Sequence, residues 1–159
     1  MDSFFDAWPL WSQAVLVIFL LALSGFFSMS ETSMLAANRH RLGLLASQGN
    51  PGAAIAERLL QRIDSLLSVL LISNNLINTI LPILVTSLAL HLFGHSGFVL
   101  TISTIVIALL IIIFSEITPK VIGAAFPEAI ASKVSWIILP LTYIPVSYTH
   151  LTLPTIYSV

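Results

Sequence analysis

Charge is scarce in this chain, so the polar residues set inside its apolar runs are where chemistry can be sought. In LSGFFSMSET, Ser24, Ser28 and Glu31 recur at i, i+4 and i+7, which places two hydroxyls and a carboxylate on one helical face. In SNNLIN, Asn74 and Asn78 share a face with Asn75 beside them. FSEITPK then closes a long uncharged run with Glu116, Pro119 and Lys120. Pro119 has no N–H for the carbonyl of Ser115 and its ring crowds that carbonyl, so a helix break after Glu116 is expected, with carbonyls near Ser115 and Glu116 released. Released carbonyls survive at membrane depth only where protein, water or an ion satisfies them. Hydroxyls, amide oxygens, carbonyls and one carboxylate form a ligand set suited to a hard cation.

Plainer roles exist for each of these residues. Ser and Asn in membrane helices also hydrogen-bond across helix interfaces or back to their own turn. Lys120 stands at i+4 from Glu116 and can pair with it, and Glu31 lies near enough to the end of its helix to pair with Arg39 or Arg62. His91 and His95 have the i, i+4 spacing of a metal pair, but the adjacent Gly94 makes surface histidines in a turn the better reading. No Gly-rich phosphate loop, G-x-S-x-G elbow or H-E-x-x-H is present, and Ser28 and His91 fall at opposite predicted depths, so no enzyme is expected.

Composition identifies the elements that must carry these residues. The chain has 159 residues, of which 57% are hydrophobic and 8% charged, and soluble domains run at about 25% charged. An all-α integral membrane protein is expected. The formal net charge of -1 offers no electrostatic footprint for nucleic acid, and with Cys 0 there is neither a disulfide framework nor a thiolate site. Uncharged apolar segments run from about Trp8 to Ser30, from about Ser65 to Phe93, and from Gly97 to Phe114, the last extending as a helix to about residue 116. Each approaches or exceeds the about 20 residues that cross a bilayer core. Pro82 should kink the second. The leader MDSFFDAW carries Asp2 and Asp6 where a signal peptide needs Lys or Arg, so the first segment is a span with Trp8 and Trp11 at the interface.

All of the chain's Lys and Arg lie on one side of this pattern. Arg39, Arg41, Arg58 and Arg62 fall between spans one and two, and Lys120 and Lys133 follow Glu116. The N-terminus is therefore expected outside and the C-terminus in the cytoplasm. Residues 36–48 and 53–63 alternate Leu and Ala with Arg, Gln and Glu at helical spacing, with Asn50 as cap and Pro51 in the first turn of the second piece. They read as amphipathic juxtamembrane helices. FPEAIASKVSWIILPL reads similarly, as a half-polar helix ended by Pro140.

SGFFSMSETSM, SNNLIN and SEITPKVIGAAFPEAIA, in that order and at these separations, resemble the transmembrane domain of the bacterial CorB/CorC proteins and the animal cyclin M magnesium transporters. The likeness covers roughly residues 15–145. Its most specific piece is E-I-x-P-K at Glu116 to Lys120, preceded by Ser115 where the family commonly has Gly. The resemblance implies a plasma-membrane homodimer of three-helix domains, the bacterial inner membrane being the expected location. It implies export of Mg2+ in exchange for Na+, with Ser24, Ser28, an asparagine of the Asn74 to Asn78 run and Glu116 facing the ion. The alternative is a dimeric membrane anchor for a cytoplasmic sensor, its polar residues serving helix association. Family members continue into paired cystathionine-β-synthase-type modules that this sequence lacks. Residues 1–145 are thus expected to form the membrane domain. The tail 146–159 is expected to be foreign or frame-shifted sequence and is assigned no structure.

Overall fold

The computed structural model describes the backbone of residues 7–157 and the side chains of residues 7–142, so Asp2, Asp6 and all side chains of the tail 146–159 lie outside the described residues. Every described element is helical, as an apolar chain in lipid requires, because a helix pairs nearly all of its backbone within one segment. The elements are α1 Leu10–Ala36, α2 Arg39–Ser47, α3 Pro51–Leu60, α4 Ile63–Phe93 and α5 Gly97–Ile111. A π-helical segment, Ile112–Ile117, follows, then α6 Thr118–Ala125 and α7 Pro127–Tyr157. Three stretches are long and apolar enough to span a bilayer: Leu10–Ala36, Ile63–Phe93 and Gly97–Ala125. The chain is a multi-pass membrane protein.

Two of the sequence-predicted boundaries shift. The third span does not stop near residue 116 but runs on to Ala125, because the chain answers Pro119 with a widened turn instead of a break. Nor does Pro140 end α7, which continues to Tyr157. A proline removes one donor and crowds one carbonyl, whereas ending the helix inside WIILPLTYIP would strand several polar groups among apolar side chains. The same reasoning applies to α4, which passes Pro82 without interruption.

Two compact units can be described separately. One comprises Met1–Ser28 and Ser73–Val121. Its core is Val17, Leu81, Leu84 and Val85, with Leu16, Leu20, Leu21, Leu88, Ile107 and Ile111 packed around them. No residue of α5 is buried, so the third span offers most of its apolar surface outward. Trp8 and Trp11 are exposed near the start of α1.

The other unit comprises Met29–Ile72 and Ile122–Val159. Here α2 and α3 form the expected juxtamembrane pair. Asn38 caps α2 by accepting the His40 N–H at 2.9 Å, and Asn50 caps α3 by accepting the Ala53 N–H at 3.2 Å, ahead of Pro51. The α3 helix buries Gly52, Ala53, Ala56, Leu59 and Leu60, while Ala131, Val134 and Ile138 are buried on α7. Small residues allow a close approach there: the Ser135 hydroxyl donates to the Gly52 carbonyl at 2.9 Å, and a Cβ on Gly52 would stand 2.3 Å from the Ser132 carbonyl oxygen.

This packing separates two glycines that look alike in sequence. Gly52→Ala should destabilise the protein by about 1–3 kcal/mol, since backbone must move to admit the methyl group. Gly43→Ala, inside α2, would meet only Glu57 Oε1 at 3.7 Å and should be neutral or stabilising by up to about 1 kcal/mol through helix propensity. Thermal unfolding of both variants in one detergent checks the opposite signs.

Candidate functional site

The polar residues of the first unit meet where α1 and α4 pack. Ser24 is fully buried, and its hydroxyl lies 3.2 Å from Asn74 Oδ1 and 3.0 Å from Asn78 Oδ1. One hydroxyl carries one proton, so it donates to a single amide oxygen at a time and leaves the other with unused lone pairs. The point therefore carries more acceptors than donors, a local excess of oxygen lone pairs within an apolar bundle.

Ser28, one turn further along the same face of α1, is also fully buried, and its Oγ has no hydrogen-bond partner among the described residues. A helical Ser or Thr readily avoids this by donating to the carbonyl four residues back. Ser68, Thr79, Thr101 and Ser132 all do so, at 2.7 to 2.8 Å. Ser28 forgoes that bond. An unpaired buried hydroxyl costs about 1–3 kcal/mol, so the position is poised for a ligand to its oxygen.

The third span contributes backbone. Within Ile112–Ile117 the ladder shifts to the wider register, and the Thr118 N–H donates to the Ile113 carbonyl. In that register the next donor, due to the Phe114 carbonyl, is Pro119, which has none. The lost bond is thus confined to one turn while the helix continues on both sides. Gly25 makes room beside it: a Cβ there would stand 3.3 Å from Pro119 Cγ and 3.5 Å from the Phe114 carbonyl oxygen. Ser115, fully buried, reaches across to the Leu21 carbonyl at 3.4 Å. Neither Gly25 nor the hydroxyl of Ser115, as distinct from its carbonyl, is marked by residue type or spacing. A small residue between two polar helix positions is the only sequence signal that Gly25 carries.

The remaining candidates are dispersed. Glu116 is half-buried and makes no hydrogen bond or ion pair among the described residues, and the exposed Lys120 does not pair with it despite the i+4 spacing. Asn75 is exposed, its side chain makes no hydrogen bond among the described residues, and its backbone carbonyl accepts from the Thr79 hydroxyl at 2.8 Å. Glu31 belongs to the second unit, is half-buried, and pairs with neither Arg39 nor Arg62. Arg39 instead donates to the Leu60 carbonyl at 3.2 Å. His91 and His95 are exposed, and the His91 ring nitrogen Nδ1 lies 2.9 Å from the Ser87 carbonyl. Among the described residues no three His, Asp or Glu side chains cluster as metal ligands. A cation held in the first unit would rest mainly on neutral oxygens.

A model of the family described as the cyclin M transmembrane N-terminal domain matches residues 15–151. The chain is 40% identical over 126 residues to a UPF0053 protein of Haemophilus influenzae, covering 79% of this chain and 30% of that protein. It is 40% identical over 119 residues to the UPF0053 inner membrane protein YfjD of Escherichia coli, covering 75% and 27% respectively. It is 29% identical over 160 residues to the chloroplastic DUF21 domain-containing protein At1g55930 of Arabidopsis thaliana, with 93% and 24% covered. The chain spans no more than 30% of the length of these relatives.

The two buried serines should respond oppositely to truncation when no divalent cation is present. Ser28→Ala removes an unsatisfied hydroxyl and should be neutral or stabilising by about 1–2 kcal/mol, whereas Ser24→Ala breaks the contact with the amides and should cost about 0.5–1.5 kcal/mol. Unfolding in chelator-treated detergent measures both.

Proposed function

Since the chain belongs to the cyclin M transmembrane domain family, we propose that it carries divalent cations across the membrane, with Mg2+ as the preferred cargo. The observation that carries this reading is the fully buried, unpartnered hydroxyl of Ser28, one turn from the Ser24 hydroxyl and its two amide oxygens. The oxygen lone pairs gathered there can face a cation. Magnesium takes six oxygen ligands and gives up its water reluctantly, so a site of neutral oxygens with few carboxylates can take the ion and release it. Glu116 supplies the negative charge in this reading, and Ser24, Ser28, Asn74 and Asn78 supply neutral oxygens. Movement is outward, coupled to Na+ entry, and the working unit is a homodimer in the plasma membrane. The name of the Escherichia coli relative, an inner membrane protein, supports that location.

The membrane-anchor alternative assigns the bond between Ser24 and the asparagines to helix association. It gives the unpaired Ser28 no role.

Magnesium at ten to a hundred times its dissociation constant should stabilise the purified chain by about 1.4–2.7 kcal/mol. The shift should vanish in Glu116→Gln and shrink in Ser28→Ala, with both variants folded in chelator. A chain that unfolds identically with and without magnesium would favour the anchor.

The proposed orientation has its own check. With Cys 0 in the chain, single-cysteine variants are unambiguous. A membrane-impermeant maleimide applied to intact cells should label His95→Cys and leave Gln48→Cys unlabelled, and labelling of Gln48→Cys alone would reverse the topology.

A further inference from the structure

The second unit contains a feature that cation transport does not use. A groove of about 840 Å³ opens between α2 and the start of α7, within the range of small-molecule sites. Its lining combines the charged Arg41, Lys133 and Glu128 with the apolar Leu44, Phe126 and Trp136. The charges do not cancel. Arg41 keeps 72% of its side chain exposed and reaches Glu128 Oε1 only at 4.0 Å, while that same oxygen accepts the Asn38 N–H at 3.3 Å. Lys133 is exposed and makes no ion pair or hydrogen bond among the described residues. The Arg41–Glu128 contact lies at the edge of ion-pair reach, with the guanidinium largely in solvent and the Glu128 side chain 16% exposed, so Arg41 can turn to an anion, as can the unpaired Lys133.

The apolar part of the lining is also open to the surface. Leu44, Phe126 and Trp136 are 50%, 64% and 55% exposed. Such side chains are ill suited to water, but chain connectivity places them at a bilayer surface. The α7 helix begins two residues after the third span ends at Ala125, and α2 begins three residues after the first span ends at Ala36. Trp is enriched at that depth, and cationic residues there attract anionic headgroups.

We propose that this groove binds one anionic phospholipid of the surrounding leaflet, its phosphate between Arg41 and Lys133 and its acyl chains along Leu44, Phe126 and Trp136. The charge and the exposed apolar wall select this occupant together. A soluble phosphate compound would leave Leu44, Phe126 and Trp136 wet, and a zwitterionic lipid would bring a headgroup cation against a lining that already carries two cations and one carboxylate. Because α2, α3 and α7 pack on one another, the lipid would tie the juxtamembrane helices to the leaflet. The inference stands independently of the cargo proposed above.

Native mass spectrometry of the full chain in mild detergent, titrated with phosphatidylglycerol and phosphatidylcholine of matched acyl chains, tests it. Phosphatidylglycerol should be retained in preference. Arg41→Gln combined with Lys133→Gln should weaken its binding by roughly tenfold or more and leave phosphatidylcholine unaffected. Glu128→Gln should strengthen phosphatidylglycerol binding, a gain that misfolding would not produce. Equal retention of the two lipids would overturn the proposal, as would unchanged binding in the double variant or displacement by millimolar glycerol phosphate. A loss that follows Arg58→Gln with Arg62→Gln instead would place the lipid elsewhere and likewise overturn it.

Discussion

A backbone in hydrocarbon must satisfy its own polar groups, and Pro119 is the place in the third span where that demand cannot be met in full. Ending the helix there would release several carbonyls into lipid. The chain shifts register over Ile112–Ile117, so the deficit falls within a single turn and the helix resumes at Thr118. What remains is a carbonyl edge at Phe114, set against Gly25 of the first span. A bulkier residue at Gly25 would crowd the Pro119 ring, so the accommodation of one proline depends on the absence of a side chain ninety-four residues earlier.

The polar cluster nearby follows the same rule applied to side chains. Ser68, Thr79, Thr101 and Ser132 spend their proton on their own turn and so become inert. Ser24 spends its proton on the asparagines of the second span, and Ser28 spends its on nothing in the described structure. An apolar bundle tolerates such a residue only at a cost of the order of one hydrogen bond, which an incoming cation would offset by taking the free lone pairs. Under the proposed function, stability and ion binding pull in opposite directions at this residue.

The second unit is built on other terms. Capped helices α2 and α3 and the early part of α7 are held by small-residue contacts at Gly52, Ala53, Ala56 and Ala131. Their outward residues mix exposed aromatics with unmatched cations. That combination is suited to neither bulk water nor hydrocarbon, and the leaflet boundary offers both environments within a few ångströms.

Much of this was legible from residue order alone. Long uncharged runs have no soluble solution that could bury them in a chain of this length, so the three spans followed from composition, and Asn50 with Pro51 marked a helix start through capping chemistry that acts within one turn. The grouping of Ser24 with Ser28 likewise follows from helical period. Tertiary structure decided what depends on partners distant in sequence. Only the packing of α1 on α4 separates Asn74 and Asn78, which reach Ser24, from Asn75, which does not, and only the Gly25 contact shows how Pro119 is admitted without a break. Pro140 was misleading for the same reason: local rules give the cost of a proline within its helix, whereas the alternative of stranded backbone is set by the apolar environment.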